Sequence, residues 1–192
     1  MTATGTVYAY GDATTGTSVP SPACPIIGAA GNPITGGYYA YTACGNIYNE
    51  AGAPWFGSQA GKITNGAALA VTADGGGYWL ITATGTVYAY GDATTGTSVN
   101  LSCSVIGAVG DPAGGYYAYT ACGNVLQVAG ATWYGSMTGN ITNEVAVEPT
   151  ADGGGYWLIT ASGTVYAYGD ATGGTSITSN YSLTDGAASP AG

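Results

Sequence analysis

The stretch Asp152 to Thr172, DGGGYWLITASGTVYAYGDAT, decides how the rest of the chain is read. It recurs almost unchanged from Asp74 to Thr94, and its second half opens the chain at Thr2 as TATGTVYAYGDAT. Two looser copies, GGYYAYTACGNIYNEAGA from Gly36 and GGYYAYTACGNVLQVAGA from Gly114, fill the slots between them. The first tyrosine after each glycine cluster is Tyr38, Tyr78, Tyr116 or Tyr156, a nearly constant spacing. Units alternate in type: Tyr38 matches Tyr116 and Tyr78 matches Tyr156, so the true period is a pair of units. A repeat of this size is one supersecondary unit that cannot bury its apolar surface alone and must stack on its neighbours.

Each unit reads as short strands punctuated by turn signals. In the unit over 62–99 the expected strands are Ala67 to Thr72, Tyr78 to Ala83 and Thr86 to Tyr90, with a weak fourth over about Gly96 to Val99. Helical periodicity is absent, and a glycine inside a helix costs about 1 kcal/mol relative to alanine. The expectation is an all-β chain of four-stranded antiparallel meanders, each of about 40 residues, the length of a propeller-blade repeat. In TVYAY the large Thr86, Tyr88 and Tyr90 alternate with the small Val87 and Ala89, as closely stacked sheets require. This is the pattern of a β-propeller of about five blades. A β-solenoid is the alternative, but tight hairpin turns fit antiparallel meanders better than parallel coils. The reading gives a single repeat domain over 1–192, with units at about 24–61, 62–99, 100–139 and 140–179. Partial units at 1–23 and 180–192 add up to most of a fifth. Either the two parts share one blade, or the chain is a window from a longer array or polymer.

The residues DGGGYWLIT, GTVYAYGDAT and GTS resemble the glycine-rich DGGGYWL/GxVxxFGDA-type repeats of secreted and surface proteins of actinobacteria and related prokaryotes. That resemblance implies an extracellular, propeller-like repeat architecture tied to no single activity. The cysteine-bearing alternate units depart from the pattern.

Four cysteines occur, only in one type of unit. Cys24 lies eight residues before Asn32 and Cys103 eight before Asp111; Cys44 lies six after Tyr38 and Cys122 six after Tyr116. Cysteines held equidistant from a hairpin turn face each other across antiparallel strands, which predicts Cys24–Cys44 and Cys103–Cys122 bridges. A four-cysteine zinc site lacks the close C-x-x-C spacing; free buried thiols are the other alternative. Bridges in turn imply an oxidising, extracellular setting. Glycosylation triplets start at Asn100, Asn140 and Asn180, evenly spaced and in the same connector slot. In register on a connector, they are expected to carry glycans in a row.

The chain has one Lys, no Arg, no His and ten carboxylates, for a formal net charge of -9. Phosphate neutralisation by Lys62 alone argues against nucleic acid and anionic membrane partners. No apolar run approaches the roughly 20 residues that a spanning helix needs, so no membrane span is expected. Without His or Arg the common nucleophile-base arrangements are lacking, and no catalytic residue, cofactor or metal site is expected. Glu144 and Glu148 are close in sequence but read as one exposed strand edge. Asp12, Asp92 and Asp170 in YGDAT read as turn residues bonding local amides. A single carboxylate in each DGGG turn is too few for calcium. Trp79 and Trp157 lie inside strands and are expected to fill space between sheets. Trp55 with Phe56, and Trp133 with Tyr134, are better candidates for an exposed aromatic strip for ligand or interface contacts.

The function expected is a non-enzymatic structural or adhesive protein of the cell surface, extending to self-association as a filament or sheath. A carbohydrate-binding, lectin-like propeller is the alternative.

Overall fold

The computed structural model describes residues 1–10, 13, 18–19, 22–94, 98, 101–178 and 181–184. Among these there is no helix; the regular structure is twelve strands in four antiparallel sheets of three. The first sheet holds β1 (Ile26–Gly31), β2 (Tyr38–Thr42) and β3 (Ile47–Glu50). The second holds β4 (Gly66–Val71), β5 (Gly77–Thr82) and β6 (Val87–Gly91). The third holds β7 (Val105–Gly110), β8 (Tyr116–Thr120) and β9 (Val125–Val128). The fourth holds β10 (Glu144–Pro149), β11 (Gly155–Thr160) and β12 (Val165–Gly169).

The expected fourth strand differs. Gly96 to Val99 lies outside the described residues except for Ser98, and the equivalent segments over 53–61, 131–139 and 171–178 form no strand. Their backbone donors go elsewhere. Pro54 has none, the Phe56 and Gly57 amides both donate to the Tyr78 hydroxyl, and the Gln59 amide donates to the Gly45 carbonyl. The connector therefore bonds the next sheet through Tyr78 and the β2–β3 turn of its own sheet through Gly45, instead of extending its own ladder.

Side chains on successive strand positions point to opposite faces, and the faces are shared out between neighbours. Tyr78 and Leu80 of β5 pack with Tyr39, Tyr41 and Ile47 of the first sheet, while Trp79 and Ile81 pack with Val105, Tyr116 and Ala118 of the third. Tyr117 and Tyr119 in turn meet Tyr156 and Leu158 of the fourth. The alternation expected in TVYAY holds, since Tyr88 and Tyr90 lie against the first sheet and Val87 and Ala89 face the third. At each junction two rings meet at 4.8 Å between centroids: Tyr39 with Tyr78, Trp79 with Tyr116, Tyr117 with Tyr156. Such pairs contribute about 0.5–1.5 kcal/mol beyond the area they bury.

Every first strand carries the same irregularity. The register skips one residue between Ile26 and Gly28, Gly66 and Ala68, Val105 and Gly107, and Glu144 and Ala146. Ile27, Ala67, Ile106 and Val145 are thus bulged residues, aimed away from the ladder. Just before each bulge a single hydrogen bond joins one sheet to the preceding unit: Gly66 N to Ala43 O, Val105 N to Ala83 O, Glu144 N to Ala121 O. The same bond recurs at both ends of the described chain, from Ile26 N to Ala3 O and from Leu183 N to Ala161 O.

Candidate functional site

The two cysteine pairs named by the spacing are joined. Cys24 bridges Cys44 and Cys103 bridges Cys122, with Cα atoms 6.1 and 6.3 Å apart, and no described cysteine is free. Each bridge lies just beyond a first-strand/second-strand pair, outside Ile26↔Thr42 or Val105↔Thr120, so it clamps the mouth of the hairpin next to the bulge.

The aromatic pairs split. Trp55 and Trp133 are 58% and 52% exposed. Phe56 and Tyr134 turn inward instead, with ring centroids 5.5 and 5.7 Å from Tyr78 and Tyr156. Adjacent residues on an extended connector point to opposite sides, so the expected strip becomes two single exposed tryptophans. Tyr134 also donates to the Gly153 carbonyl at 2.9 Å, tying the connector to the next sheet's first turn. Trp79 is buried, and its Nε1 donates to the Thr94 carbonyl at 2.7 Å; Trp157 makes the equivalent bond to Thr172 at 3.3 Å.

Among the sequons, Asn140 is exposed on a turn, with its amide nitrogen donating to the Thr138 carbonyl. Asn100 and Asn180 lie outside the described residues.

In the DGGG turns, Asp74 and Asp152 accept through Oδ1 from local amides, Gly76 N and Gly154 N, each at 3.1 Å, and the Asp92 carboxylate of YGDAT meets its own backbone amide. Asp92 and Asp170 reach the hydroxyls of Thr72 and Thr150, at 3.3 and 3.2 Å, while Asp12 lies outside the described residues. The DGGG turn is glycine-rich for this reason: a Cβ on Gly76 or Gly154 would strike the Asp92 or Asp170 carboxylate. Two carboxylates therefore approach each other at each turn. Hydrogen bonds from Gly76 and then Thr72 hold the Asp74 carboxyl below its usual range, while burial and then Asp74 push Asp92 up. Among the described residues no group of three or more His, Cys, Asp or Glu is placed to hold a metal ion.

Glu144 and Glu148 do not form an exposed edge. Both lie on β10, which pairs with β11 alone, and the bulge at Val145 puts them on opposite sides. Glu144 is 1% exposed, and neither carboxyl oxygen meets a hydrogen-bond donor among the described groups. Burial pushes its carboxyl up to about 8. At neutral pH it is therefore a protonated acid, the cheaper state for an uncompensated carboxyl in an apolar setting.

Glu148 instead lines a cavity of about 520 Å³ where the four first strands converge. Around it stand Ile27, Ala67, Ile106 and Val145, the bulged residues, together with Thr184, which follows Leu183 as each of them follows its own bonded residue. Sequence reasoning missed this cavity, because the bulge breaks the period-two alternation on which inward-facing positions are counted. Its signal was the irregular pattern of small residues, GAAG and GAVG against AALAV, at one place in each unit.

In the comparisons, no protein-family model matches the chain and no curated protein proves similar to it. Among the described residues no helix is long and apolar enough to cross a membrane.

Proposed function

We propose that this chain is a non-enzymatic extracellular repeat protein with a structural or adhesive role at the cell surface, built as a propeller-like ring of meanders. The observation that carries this reading is the commitment of side chains to the junctions between sheets. The Tyr78 hydroxyl accepts from two connector amides and donates to Gly57 O at 2.7 Å, and Tyr156 repeats all three bonds with Tyr134, Gly135 and the Gly135 carbonyl. A disulfide in each alternate unit adds a covalent clamp. The ring is supported by the five equivalent residues around one cavity and by the inter-unit bond that recurs at Ile26 and Leu183. Disulfides of this kind persist in oxidising compartments. Intact-mass measurement of native material after alkylation without reductant should find no modified cysteine; four alkylated residues would remove the extracellular assignment.

Self-association into a filament or sheath extends the proposal. Tyr8 and Tyr10 are 63% and 82% exposed, although their repeat equivalents Tyr88 and Tyr90 pack against a neighbouring sheet. An apolar pair left uncovered where the pattern normally covers it suits a second copy. Sedimentation velocity across a concentration series should show assembly that Tyr8→Ser with Tyr10→Ser abolishes; a concentration-independent monomer would reject it. Asn140, and with it Asn100 and Asn180, are proposed to carry glycans, which a glycopeptide map of native material checks.

The carbohydrate-binding alternative rests on Trp55 and Trp133, single exposed indoles at matching positions of successive periods. Saturable binding on a glycan array that is lost in Trp55→Ala with Trp133→Ala would favour it over the scaffold reading.

A further inference from the structure

Residues 2–10 repeat the turn and the last strand of the second and fourth sheets bond for bond, up to the point where the ladder begins. Thr2 N donates to Thr6 O and Gly5 N to Thr2 O, each at 2.9 Å, as Thr82 N does to Thr86 O and Gly85 N to Thr82 O. The Thr6 amide donates to the Thr2 hydroxyl just as the Thr86 amide donates to that of Thr82. Beyond the strand, Ala13 N closes on Tyr10 O as Ala93 N closes on Tyr90 O. The backbone of TVYAY is therefore held at both ends in its repeat position. In β6 and β12 the equivalent residues pair throughout with β5 and β11. Residues 7–10 have no ladder partner among the described residues and form no strand, and Tyr8 and Tyr10 are exposed.

The repeat also states what fits against them. Thr82 N bonds across to Thr86 O, so by the alternation of an antiparallel pair the backbone groups of Leu80 and Tyr78 face β6, and those of Tyr88 and Tyr90 face β5. Tyr8 and Tyr10 thus present their amides and carbonyls to the open side. Opposite Tyr90, Ala89 and Tyr88 stand Tyr78, Trp79 and Leu80, and the fourth sheet repeats the set with Tyr156, Trp157 and Leu158. Aromatic cover is needed at one point. Tyr90 and Tyr168 lie 5.6 Å from Tyr78 and Tyr156, which rest in turn on Phe56 and Tyr134 of a connector. In the connector over 171–178, Ala171 N bonds Tyr168 O as Ala53 N bonds Glu50 O, so Gly174 stands where Phe56 does. An aromatic beside Tyr10 has to come with the strand. Residues 2–10 carry no charge and no proline, the devices that commonly keep a sheet edge from accepting a strand.

We propose, on the ring reading above, that residues 7–10 take an added β-strand in trans, an extended segment of another polypeptide with the Gly-Tyr-Trp-Leu character of β5 and β11. It runs antiparallel to residues 7–10, with its tyrosine opposite Tyr10, its tryptophan opposite Ala9 and its leucine opposite Tyr8. Main-chain bonds to Tyr8 and Tyr10 supply affinity, and the alternating side chains supply specificity.

The test is fluorescence anisotropy of a labelled, amidated peptide, KGGGYWLIT, titrated with the full chain at fixed ionic strength. Expected is saturable one-site binding. N-methylation of the leucine amide keeps every side chain but removes the donor aimed at the Tyr8 carbonyl, and should weaken binding about ten-fold or more. Tyr8→Pro, which deletes an amide on the open side of an exposed residue, should weaken it to a similar degree. A chain carrying GGYWL ahead of Met1 serves where Tyr8→Pro fails to fold: filling its own edge, it should no longer take the peptide. In the complex, hydrogen exchange should slow at the Tyr8 and Tyr10 amides and not at Val7 or Ala9. Equal affinity for the N-methylated peptide, full binding by the extended chain, protection spread evenly over residues 7–10, or no saturable binding would each overturn the proposal. A chain that assembles in sedimentation but ignores the peptide overturns the added strand and keeps self-association; one that takes the peptide but stays monomeric does the reverse.

Discussion

Residues 38–91 and 116–169 are two copies of one arrangement, a full period apart, and they solve the same packing problem with different groups. In the first copy Gln59 donates to the Tyr90 hydroxyl at 2.7 Å and Gly66 begins the next first strand. In the second, the matching positions hold Met137 and Glu144. The polar group has left the connector and reappeared on the strand. Burial, and then the Glu144 carboxyl, push the hydroxyl of Tyr168, the partner of Tyr90 in the repeat, up from its usual range, so the acid occupies the same pocket from the other side. A second exchange concerns Asn32 and Asp111. Asn32 donates to Tyr39 and to the Gly75 carbonyl, at 3.3 and 3.0 Å, whereas Asp111 accepts from Tyr117, reversing the direction of the bond. What the pocket requires is a polar partner for a tyrosine, and the repeat tolerates moving it between elements.

The largest effects should come from what the copies share. Tyr78→Ala and Tyr156→Ala each remove a buried ring and its three connector bonds, and should cost about 3–5 kcal/mol in chemical denaturation. Similar losses from the two sites would sharpen the equivalence, and a loss at only one would break it. Removing either bridge, as Cys24→Ser with Cys44→Ser or Cys103→Ser with Cys122→Ser, should cost about 3 kcal/mol, because the two close loops of similar length.

Next comes the difference between the copies. The folded Glu144 carboxyl keeps its proton up to about pH 8, whereas an unfolded glutamate releases it near 4.5. The associated stability is complete below pH 4.5, declines as pH rises, and is gone above about 8. Its slope reaches at most about 1.4 kcal/mol per pH unit. Glu144→Gln should flatten this decline between pH 5 and 8, measured as denaturation midpoints; an unchanged slope would mean that the acid is not buried between the third and fourth sheets. Transplanting the arrangement, Gln59→Met with Gly66→Glu, should introduce the same decline at the first junction. The smallest effect is expected at Trp55→Ala, within about 0.5 kcal/mol, because the indole is mostly in water.

Much of this was legible in the chain. Strand positions, sheet stacking and both disulfides followed from the repeat, because turn glycines and period-two alternation act locally. The fourth strand was not legible, since Phe56 and Gly57 hand their amides to Tyr78, a partner on another sheet and distant in sequence. Nor was the placement of Glu144 and Glu148. One bulge residue, Val145, turned an apparent exposed edge into one buried acid and one cavity-lining carboxylate. Exposure of Trp55 was foreseen, but that of Phe56 was not reproduced, because the ring has Tyr78 to rest on.

Native-state hydrogen exchange tests the central claim most directly: that each sheet is stable only because its neighbours cover it. The account predicts that amides of β2, β5, β8 and β11 exchange through one shared opening, and that Tyr156→Ala in the fourth sheet accelerates exchange in the third as well. Four sheets opening independently, each with its own free energy and unaffected by changes next door, would contradict it.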